Sequence, residues 1–255
     1  MTLLQLLECM NNPKITVVTV CYNAVDVIEK TILSVINQTY SNIEYIVIDG
    51  NSSDGTVNII KKYADRISKW ISEPDKGIYD AMNKGIDVAT GEWINFMNAG
   101  DMFVNKHVIE NLISPMKDGS DYVFGNTILE NGGMTKIQKG GLNKNGFPDA
   151  GHQSSFVKTY LMKKYHFEIK YAICSDFDFV CKLYKNGIKF RYVDINISSY
   201  NMRGLSSDHR TLVYKEHCEI RNIPTSWYKI IKYRIEDAMP VWLMKRLLNL
   251  SWLVK

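Results

Sequence analysis

The sequence lacks the two glycine-rich motifs that hold phosphate groups in many α/β proteins. No Gly-x-Gly-x-x-Gly follows the first predicted strand, and no Walker-type Gly-Lys-Ser/Thr is present. These absences argue against a dinucleotide-binding Rossmann domain and against a P-loop nucleotide hydrolase. No apolar run approaches the length of a bilayer span. The apolar residues 1–10 have neither a basic segment nor a cleavage signal, so we expect no secretory peptide.

Cysteine and proline are also scarce. The five cysteines are scattered, odd in number and without Cys-x-x-Cys spacing, which predicts no zinc site and suits a reducing compartment. With six prolines, no low-complexity linker and no repeat, the 255 residues are expected to form one main domain. A content of 45% hydrophobic and 23% charged residues is ordinary for a soluble globular protein.

Positive charge is concentrated at the C-terminal end. Residues 221–255 contain seven basic and two acidic residues, whereas the whole chain carries a formal charge of only +4. Three of the five tryptophans lie in the same segment. A basic, aromatic, amphipathic helix suits an anionic membrane surface, and a helix packed on the domain or on a second subunit is an equal alternative. Nucleic acid is a poorer partner, because no nucleic-acid-binding motif accompanies the charge.

The first half of the chain alternates strands with amphipathic helices. Runs rich in β-branched residues at Ile15–Asn23 and Glu44–Ile48 each end in a polar turn, and helical periodicity follows at Val25–Gln38 and about Thr56–Ala64. This βαβα order predicts a parallel sheet wound with right-handed crossovers. The turns at the carboxyl ends of its strands should share one crevice, where open α/β sheets bind ligands.

A further strand ends in the most informative turn of the chain. Trp93–Met97 has the apolar character of a strand covered on both faces, and Asn98-Ala99-Gly100-Asp101 follows it. Gly100 permits a sharp turn, after which the Asp101 carboxylate can face a hard cation. The alternative is a turn that merely leads to a helix near Lys106–Ile113.

Four motifs occur in an order that resembles family 2 glycosyltransferases. They are Val18-Thr19-Val20-Cys21-Tyr22-Asn23, Ile48-Asp49-Gly50-Asn51-Ser52-Ser53-Asp54-Gly55-Thr56, the segment from Glu73 through Asp75-Lys76-Gly77-Ile78-Tyr79-Asp80-Ala81-Met82-Asn83-Lys84-Gly85, and the Asn-Ala-Gly-Asp turn. The likeness is dense over 14–104, thin over 117–145, renewed over 151–187 and weak after Ser207. In particular, the chain resembles inverting enzymes that build bacterial O-antigen, capsule and colanic-acid-type polysaccharides.

The resemblance implies an α/β protein of GT-A fold. A Rossmann-like, mostly parallel sheet flanked by helices is expected, with a helical C-terminal extension. We predict a catalytic domain at 1–220, with a nucleotide-binding half at 14–104 and an acceptor half at 105–220. A basic, aromatic, amphipathic helical extension should occupy 221–255.

The resemblance places the nucleotide base at the first two strand ends. It implies that Asp49 accepts a hydrogen bond from a uracil N–H or from the ribose, with an Asx turn as the alternative role. Thr19, Tyr22 and Asn23 stand where the base pocket of the family begins, although core packing and turn formation compete for them. Asp54 is expected to cap the next helix.

Further donor contacts are expected around the start of the next helix. Lys76 matches a basic or polar position near the nucleotide, at a helix start whose N–H groups suit anions. Asp80 and Asn83 share a helix face and are predicted donor contacts. A surface pair between Asp80 and Lys84 is the alternative for that carboxylate.

The resemblance also implies a divalent metal. Asp101 matches the last position of the Asp-x-Asp motif of the family, although Ala99 replaces the second carboxylate. With the two phosphates of the donor, Asp101 is predicted to hold Mn²⁺ or Mg²⁺, and Asn98 beside it is a predicted donor contact. Arg203 and His209 belong to a loop that resembles one closing on the diphosphate, and they are predicted phosphate and metal partners, respectively.

The acceptor side is predicted from two later motifs. Ile173-Cys174-Ser175-Asp176-Phe177-Asp178-Phe179 resembles the acidic motif in which one aspartate deprotonates the acceptor hydroxyl, and Asp176 matches the base. Asp178 points to a different face, and both carboxylates could instead favour the helix start. His152 and Gln153 are predicted acceptor contacts.

These roles imply a direct displacement. Asp176 takes the proton of an acceptor hydroxyl that attacks the anomeric carbon of a nucleotide sugar, expected to be a UDP-sugar, so an α-linked donor gives a β-glycoside. The resemblance implies an acceptor sugar on a polyprenyl diphosphate. With the basic C-terminus, we expect a cytoplasmic enzyme, peripheral at the cytoplasmic face of the inner membrane, and a homodimer is a further option.

Two other classes of protein stay open. A nucleotidyltransferase making sugar nucleotides shares the α/β pattern, but it would need a glycine- and arginine-rich phosphate loop where Cys21-Tyr22-Asn23-Ala24 stands. A non-catalytic carbohydrate-binding or scaffold protein is the other alternative. Release of UDP from UDP-sugars separates the three.

Overall fold

The computed structural model describes residues 12–131, 133–201 and 209–238. The chain divides into two compact units, residues 1–202 and 203–255.

Strands and helices alternate in the first half of the first unit. Its elements are β1 Ile15–Cys21, α1 Ile28–Ile36, β2 Ile43–Asp49, α2 Thr56–Lys62, β3 Lys69–Ser72, α3 Ile78–Val88 and β4 Trp93–Phe96. The strands pair in parallel in the order β3-β2-β1-β4. The predicted parallel βαβα arrangement is therefore confirmed.

The second half of this unit extends the same sheet with strands of both directions. Its elements are β5 Asp101–Phe103, α4 Val108–Met116, β6 Tyr122–Asn131, β7 Met134–Gln138, β8 Gly141–Leu142, β9 Pro148–Asp149, β10 Ser155–Lys158, α5 Thr159–Tyr165, α6 Ser175–Lys185 and β11 Phe190–Asn201. The sheet continues β4-β10-β6-β11-β5, with β7 paired to β6. β10 is antiparallel to both of its neighbours, whereas β11 is parallel to β6. The α/β class with flanking helices is confirmed.

Two apolar cores lie on opposite faces of this sheet. Side chains alternate along β1, so that Ile15 and Val17 join the core beneath α1 and α4, whereas Val18 and Val20 join the core beneath α3 and α6. All seven residues of β1 are buried, as expected for a strand covered on both faces. Because α3 and α6 pack on the same face, residues distant in sequence meet at the ends of these helices.

Gly85 allows α3 to approach β1 closely. A Cβ atom at this position would lie 2.5 Å from Cγ1 of Val18, well inside van der Waals contact. The missing side chain therefore fixes the depth at which α3 lies on the sheet.

Glu44 ties the amino-terminal edge of the sheet together. Its carboxylate accepts hydrogen bonds from the Thr16 hydroxyl (2.6 Å), the Thr90 backbone N–H (2.7 Å) and the Lys14 ammonium (3.1 Å). Burial opposes ionisation of Glu44, but these donors outweigh it and lower its pKa to about 2. The carboxylate thus joins β1, β2 and the turn before β4.

The helix boundaries differ from the prediction by a few residues. The helix predicted over Val25–Gln38 begins at Ile28, because the N–H groups of Val27 and Ile28 donate to the carbonyl of Ala24 in a preceding turn. The helix predicted over Thr56–Ala64 ends at Lys62.

The second unit contains two helices over its described residues, α7 Arg210–Ile220 and α8 Trp227–Asp237. The Asp237 carboxylate accepts hydrogen bonds from the backbone N–H groups of Arg210 (2.9 Å) and Thr211 (3.0 Å). The ring of Tyr214 packs on that of Tyr233, with 5.4 Å between centroids. Helix α7 lies within the range 1–220 that the sequence predicts for the catalytic domain, and that division stays a prediction. In the part of the chain that is described, no helix is long and apolar enough to cross a membrane.

Candidate active site

The polar turns after β1, β2 and β4 meet at one edge of the sheet. In the parallel register, Cys21 at the end of β1 lies beside Asp49 at the end of β2. The Ala99 N–H donates to the carbonyl of Val20 (3.0 Å), which fixes the turn after β4 against β1. The predicted shared edge is therefore formed.

Asp176 lies at the start of α6 and is held by three donors. Its Oδ1 accepts hydrogen bonds from the Tyr79 hydroxyl (3.0 Å) and from the N–H of Phe177 (2.8 Å), and its Oδ2 lies 3.2 Å from Nδ1 of His152. Burial opposes the charge, but His152 and then the other two donors outweigh it, so the pKa of Asp176 is held below its usual value. The side chain is still 31% exposed, so an ionised carboxylate remains accessible.

His152 connects this carboxylate to the turn after β4. Its Nε2 lies 3.1 Å from Nδ2 of Asn98. These partners fit the tautomer in which Nδ1–H donates to Asp176 and Nε2 accepts from the Asn98 amide. Burial alone would lower the pKa of His152, but the hydrogen bond and charge of Asp176, with the charge of Asp101, raise it. The imidazole therefore bridges the two predicted halves of the site.

Asp101 begins β5 and is the predicted metal ligand. Burial raises its pKa to about 6, against the opposing effects of the His152 charge and the Asn98 backbone. Within the described residues, no lysine or arginine forms an ion pair with this carboxylate. Oδ1 of Asn98 in the same turn is buried and has no hydrogen-bond partner in the described chain. An uncompensated carboxylate beside an unpaired amide oxygen suits a hard divalent cation.

Asp101 and Asn98 supply few ligands for a metal ion. Across residues 12–131, 133–201 and 209–238, no group of three or more His, Cys, Asp or Glu side chains could hold a metal ion. A cation at Asp101 would therefore need ligands from outside these side chains, and the oxygens of a diphosphate are of the right chemical kind.

Asp49, the predicted contact for uracil or the ribose, is fully buried at the end of β2. Its oxygens accept hydrogen bonds from Ser52, whose N–H is at 3.0 Å, and from the Ser72 hydroxyl at 2.6 Å. The Cys21 thiol lies 3.6 Å from it. These hydrogen bonds fix the turn after β2, and the nucleotide contact stays a prediction.

The three neighbouring candidates differ in their accessibility. Thr19 is fully buried and donates to the carbonyl of Met97 (2.7 Å), and its place in a base pocket stays a prediction. Asn23 is exposed, but its Oδ1 accepts from the Ser53 N–H (3.0 Å) and stabilises the turn. Tyr22 is 66% exposed and remains available to a ligand.

The candidates on α3 also serve local structure. Oδ2 of Asp80 accepts from the N–H of Lys76 (2.9 Å) and caps the helix, while the Lys76 side chain is exposed. The alternative pair between Asp80 and Lys84 is long, at 3.9 Å. The Asn83 amide bonds to both the N–H and the carbonyl of Phe167, at 2.9 Å each, which fixes the backbone there. Its contact with the nucleotide donor stays a prediction.

The remaining predicted site residues are Gln153, Arg203 and His209. Gln153 is buried, with Oε1 turned towards Gly151, and its contact with an acceptor stays a prediction. Arg203 lies outside the described residues. His209 directly precedes α7 in the second unit.

Tyr79 is a site residue that the sequence-based prediction missed. Its single hydroxyl hydrogen is shared between the carbonyl of Ile173 (2.5 Å) and Oδ1 of Asp176 (3.0 Å). Its ring is buried with Met82 and Ile86 on the core face of α3. A buried tyrosine hydroxyl requires a partner, and that requirement was the available signal.

Comparison with known sequences gives consistent matches. The family model described as Glycosyl transferase family 2 matches residues 16–187. A PGL/p-HBAD biosynthesis glycosyltransferase of Mycobacterium bovis is 28% identical over 228 residues, which cover 85% of this chain and 86% of the relative. A GalNAc(5)-diNAcBac-PP-undecaprenol beta-1,3-glucosyltransferase of Campylobacter jejuni is 33% identical over 138 residues, which cover 52% and 44% respectively.

Solved structures match at the level of the fold. S. aureus TarS 1–349 in complex with UDP-GlcNAc aligns with a TM-score of 0.63 and 18% identity, over 85% of this chain and 69% of that one. The mannosyltransferase PcManGT from Pyrobaculum calidifontis, in complex with GDP-Man and Mn²⁺, gives a TM-score of 0.63 and 16% identity, over 82% and 65%. The expected GT-A fold is confirmed.

Proposed function

The chain belongs to glycosyltransferase family 2, and on this basis we propose that it is an inverting enzyme that transfers a sugar from a UDP-sugar to a hydroxyl of a lipid-diphosphate-linked saccharide. The observation that carries the proposal is the position of Asp176. Its ionised, partly exposed carboxylate is linked through His152 to the turn that bears Asp101.

Asp176 is the base in this proposal. A carboxylate offers about four acceptor positions. Phe177 and His152 use two of them, and the Tyr79 hydroxyl, which shares its hydrogen with the carbonyl of Ile173, lies at a third. At least one lone pair therefore remains for the proton of the acceptor hydroxyl. The three donors fix the orientation of the carboxylate, and its lowered pKa keeps it ionised at neutral pH. Proton removal accompanies attack on the anomeric carbon from the face opposite the diphosphate, so configuration inverts and an α-linked donor gives a β-glycoside.

Asp101 and Asn98 are the residues that would hold a divalent cation, Mn²⁺ or Mg²⁺. Such an ion, when bound, would offset the negative charge of the departing diphosphate. The Mn²⁺ in the PcManGT complex, a protein of the same fold, supports a metal-dependent reaction. His152 lies between Asp101 and Asp176 and keeps the base oriented.

The acceptor class is inferred from relatives and from charge. The Campylobacter relative is named for an undecaprenol-linked acceptor, which supports a polyprenyl-diphosphate saccharide of a bacterial surface polysaccharide, of the O-antigen or lipopolysaccharide type. On α8, Trp227 is 74% exposed, and Tyr228, Ile231 and Ile235 are also exposed beside lysines. We therefore include peripheral binding to the anionic cytoplasmic face of the inner membrane, where each basic residue adds about 1 kcal/mol.

The test is turnover of defined donors. UDP-glucose, UDP-galactose and their N-acetyl forms are incubated with a synthetic polyprenyl-diphosphate sugar and Mn²⁺, and UDP release and the anomeric configuration of the product are measured. Acceptor-dependent UDP release with a β-linked product is expected. Absence of release from every donor by a protein that binds saccharide would favour a carbohydrate-binding role, and formation of UDP-sugar from UTP would favour a nucleotidyltransferase.

A further inference from the structure

His152 is carried by a single 3₁₀ turn, His152–Ser154, which leads directly into β10. Nδ1 of the imidazole lies 3.2 Å from Oδ2 of Asp176, and Nε2 lies 3.1 Å from the Asn98 amide. Such a turn is short and its own hydrogen bonding is poor, so it does not fix a side chain by itself. The position of the imidazole therefore depends on what holds the backbone of the turn.

Asn95 of β4 holds this backbone from inside the sheet. Its Nδ2 donates to the carbonyl of Gln153 (3.2 Å) and to that of Ser155 (2.9 Å), so one amide bonds to the chain on both sides of Ser154. The side chain is fully buried, on the face of β4 from which Trp93 joins the core beneath α1 and α4. An amide in this apolar core thus serves the turn and not the surface.

Ser154 ties the same turn to two further strands. Its hydroxyl donates to the carbonyl of Asn126 (3.0 Å) in β6. The same oxygen lies 2.7 Å from the Thr127 hydroxyl of β6 and 2.6 Å from the Ser198 hydroxyl of β11. Because a hydroxyl has one hydrogen and two lone pairs, Ser154 satisfies all three contacts by donating once and accepting twice.

These buried polar groups oppose folding. Asn95, Thr127, Ser154 and Ser198 are all buried, and Oδ1 of Asn95 has no hydrogen-bond partner in the part of the chain that the structure describes. A buried amide or hydroxyl is costly unless its hydrogen bonds are complete. Stability alone therefore does not explain a half-satisfied amide at position 95, whereas a need for a fixed turn does.

We propose that Asn95 and Ser154 are positioning residues, which fix the backbone of the 3₁₀ turn and so hold His152 in contact with Asp176. Asn95 joins the turn to β4, and Ser154 joins it to β6 and β11, so three strands set the place of the imidazole. Both residues act through His152 and contact no substrate. This inference rests on the proposed role of Asp176 as the base.

The first test compares rate with affinity in Asn95→Leu, which keeps the branched shape of the side chain but removes its N–H donors. The single-turnover rate of sugar transfer should fall about tenfold to a hundredfold, since a displacement of about 1 Å at a reacting group has an effect of this size. UDP affinity in the presence of Mn²⁺, measured by calorimetry, should be unchanged. Ser154→Ala should show the same loss of rate without loss of affinity.

The second test asks whether Asn95 acts through His152. Asn95→Leu is added to His152→Ala, and the rate should then change by less than about twofold, because residues that act on one group are not additive. A full additional loss in the double variant would refute the inference, since Asn95 would then act on the fold or on another part of the site.

Thr16→Val is the matched control. Thr16 is fully buried in the neighbouring strand β1, and its hydroxyl donates to Glu44 (2.6 Å) at the opposite edge of the sheet. The variant should unfold at a lower temperature but keep the wild-type rate while it is folded, as judged by circular dichroism. A rate loss equal to that of Asn95→Leu would mean that any lost buried hydrogen bond has this effect, and the inference would fail.

A spectroscopic measurement gives an answer that does not require turnover. Imidazole ¹⁵N spectra of the labelled full-length protein are recorded, and the signals of His152 are identified by their loss in His152→Ala. In the wild-type protein these signals should report one tautomer, with the proton on Nδ1. In Asn95→Leu they should shift towards a mixture of tautomers, while those of His107 and His166 stay in place.

The outcomes distinguish this inference from the proposed function. If the wild-type protein transfers no sugar from any donor, the proposed function fails, and the ¹⁵N spectra still decide whether Asn95 holds His152. If Asp176→Asn loses its rate while Asn95→Leu keeps the wild-type rate and the wild-type spectrum, the positioning role is refuted and the proposed function stands.

Discussion

Replacing Asp176 by asparagine tests the assignment of the base most directly. The substitution keeps the shape of the side chain, so the amide oxygen can still accept from Tyr79 and from the N–H of Phe177. The amide nitrogen then faces Nδ1 of His152, which becomes the acceptor if the imidazole carries its proton on Nε2 and the side-chain amide of Asn98 turns its oxygen towards that nitrogen. The local structure should therefore persist while the ability to take a proton is lost.

The expected loss is large and confined to the chemical step. General-base catalysis is worth roughly two to four orders of magnitude, so the single-turnover rate of Asp176→Asn should fall by a factor of about 10² to 10⁴. UDP affinity should change by less than about twofold, because removal of a hydroxyl proton does not require contact with UDP. Rapid-quench measurement of product, beside calorimetry with UDP and Mn²⁺, gives both quantities.

Asp178 provides the matched control. Its Oδ2 lies 2.9 Å from the Lys182 ammonium, one turn along α6, and the side chain is 14% exposed. Asp178→Asn should retain most activity and lose only a few tenths of a kcal/mol from this helical pair. A rate loss in Asp178→Asn that equals or exceeds that of Asp176→Asn would refute the reasoning, as would a loss of UDP binding in Asp176→Asn.

Three other substitutions probe separate features of the molecule. Asp101→Asn should abolish metal-dependent turnover, since the amide loses the charge opposing the cation, and full activity of the variant in excess EDTA would contradict the metal role. Glu44→Gln should destabilise the fold at pH 7 by roughly 1–2 kcal/mol after allowance for solvent screening. Because the pKa of Glu44 is lowered from 4.5 to about 2, this contribution exists above pH 4.5 and is lost as the pH falls towards 2. Urea titrations at pH 7 and pH 3 should therefore show a smaller difference at pH 3, and an equal difference would rule out the charged network. Replacing Trp227 and Ile231 by serine should reduce sedimentation with anionic vesicles about tenfold or more, as each apolar side chain is worth about 1.5–3 kcal/mol when buried. Unchanged sedimentation with an altered oligomeric state would instead assign this face of α8 to a second subunit.

Runs rich in β-branched residues alternate with segments whose apolar residues recur at helical spacing. This alternation was sufficient to predict the α/β class. β1 is buried along its whole length, and its β-branched residues form a strand for a reason that is local to the sequence. Parallel pairing in register then brings the carboxyl ends of these strands to the same edge of the sheet. For the same reason, the turn at Asn98–Asp101 could be predicted to lie at the ligand edge.

Polar residues at a strand end show what the sequence leaves open. Asp49 matches the motif at the end of β2, but its burial and its hydrogen bonds with Ser52 and Ser72 depend on groups that a neighbouring turn and strand bring to it. These contacts are not visible along the chain. The sequence therefore predicted the location of the carboxylate but not its partners.

Tertiary structure alone brings Tyr79, His152 and Asp176 into contact. Their hydrogen bonds join residues 97 and 24 positions apart in sequence. They exist because α3 and α6 share one apolar core, and because Gly85 sets the depth of α3 on β1. The sequence by itself determined the chemical type of each side chain and the element that carries it. The packing of two distant helices on one face of the sheet determined which side chains meet.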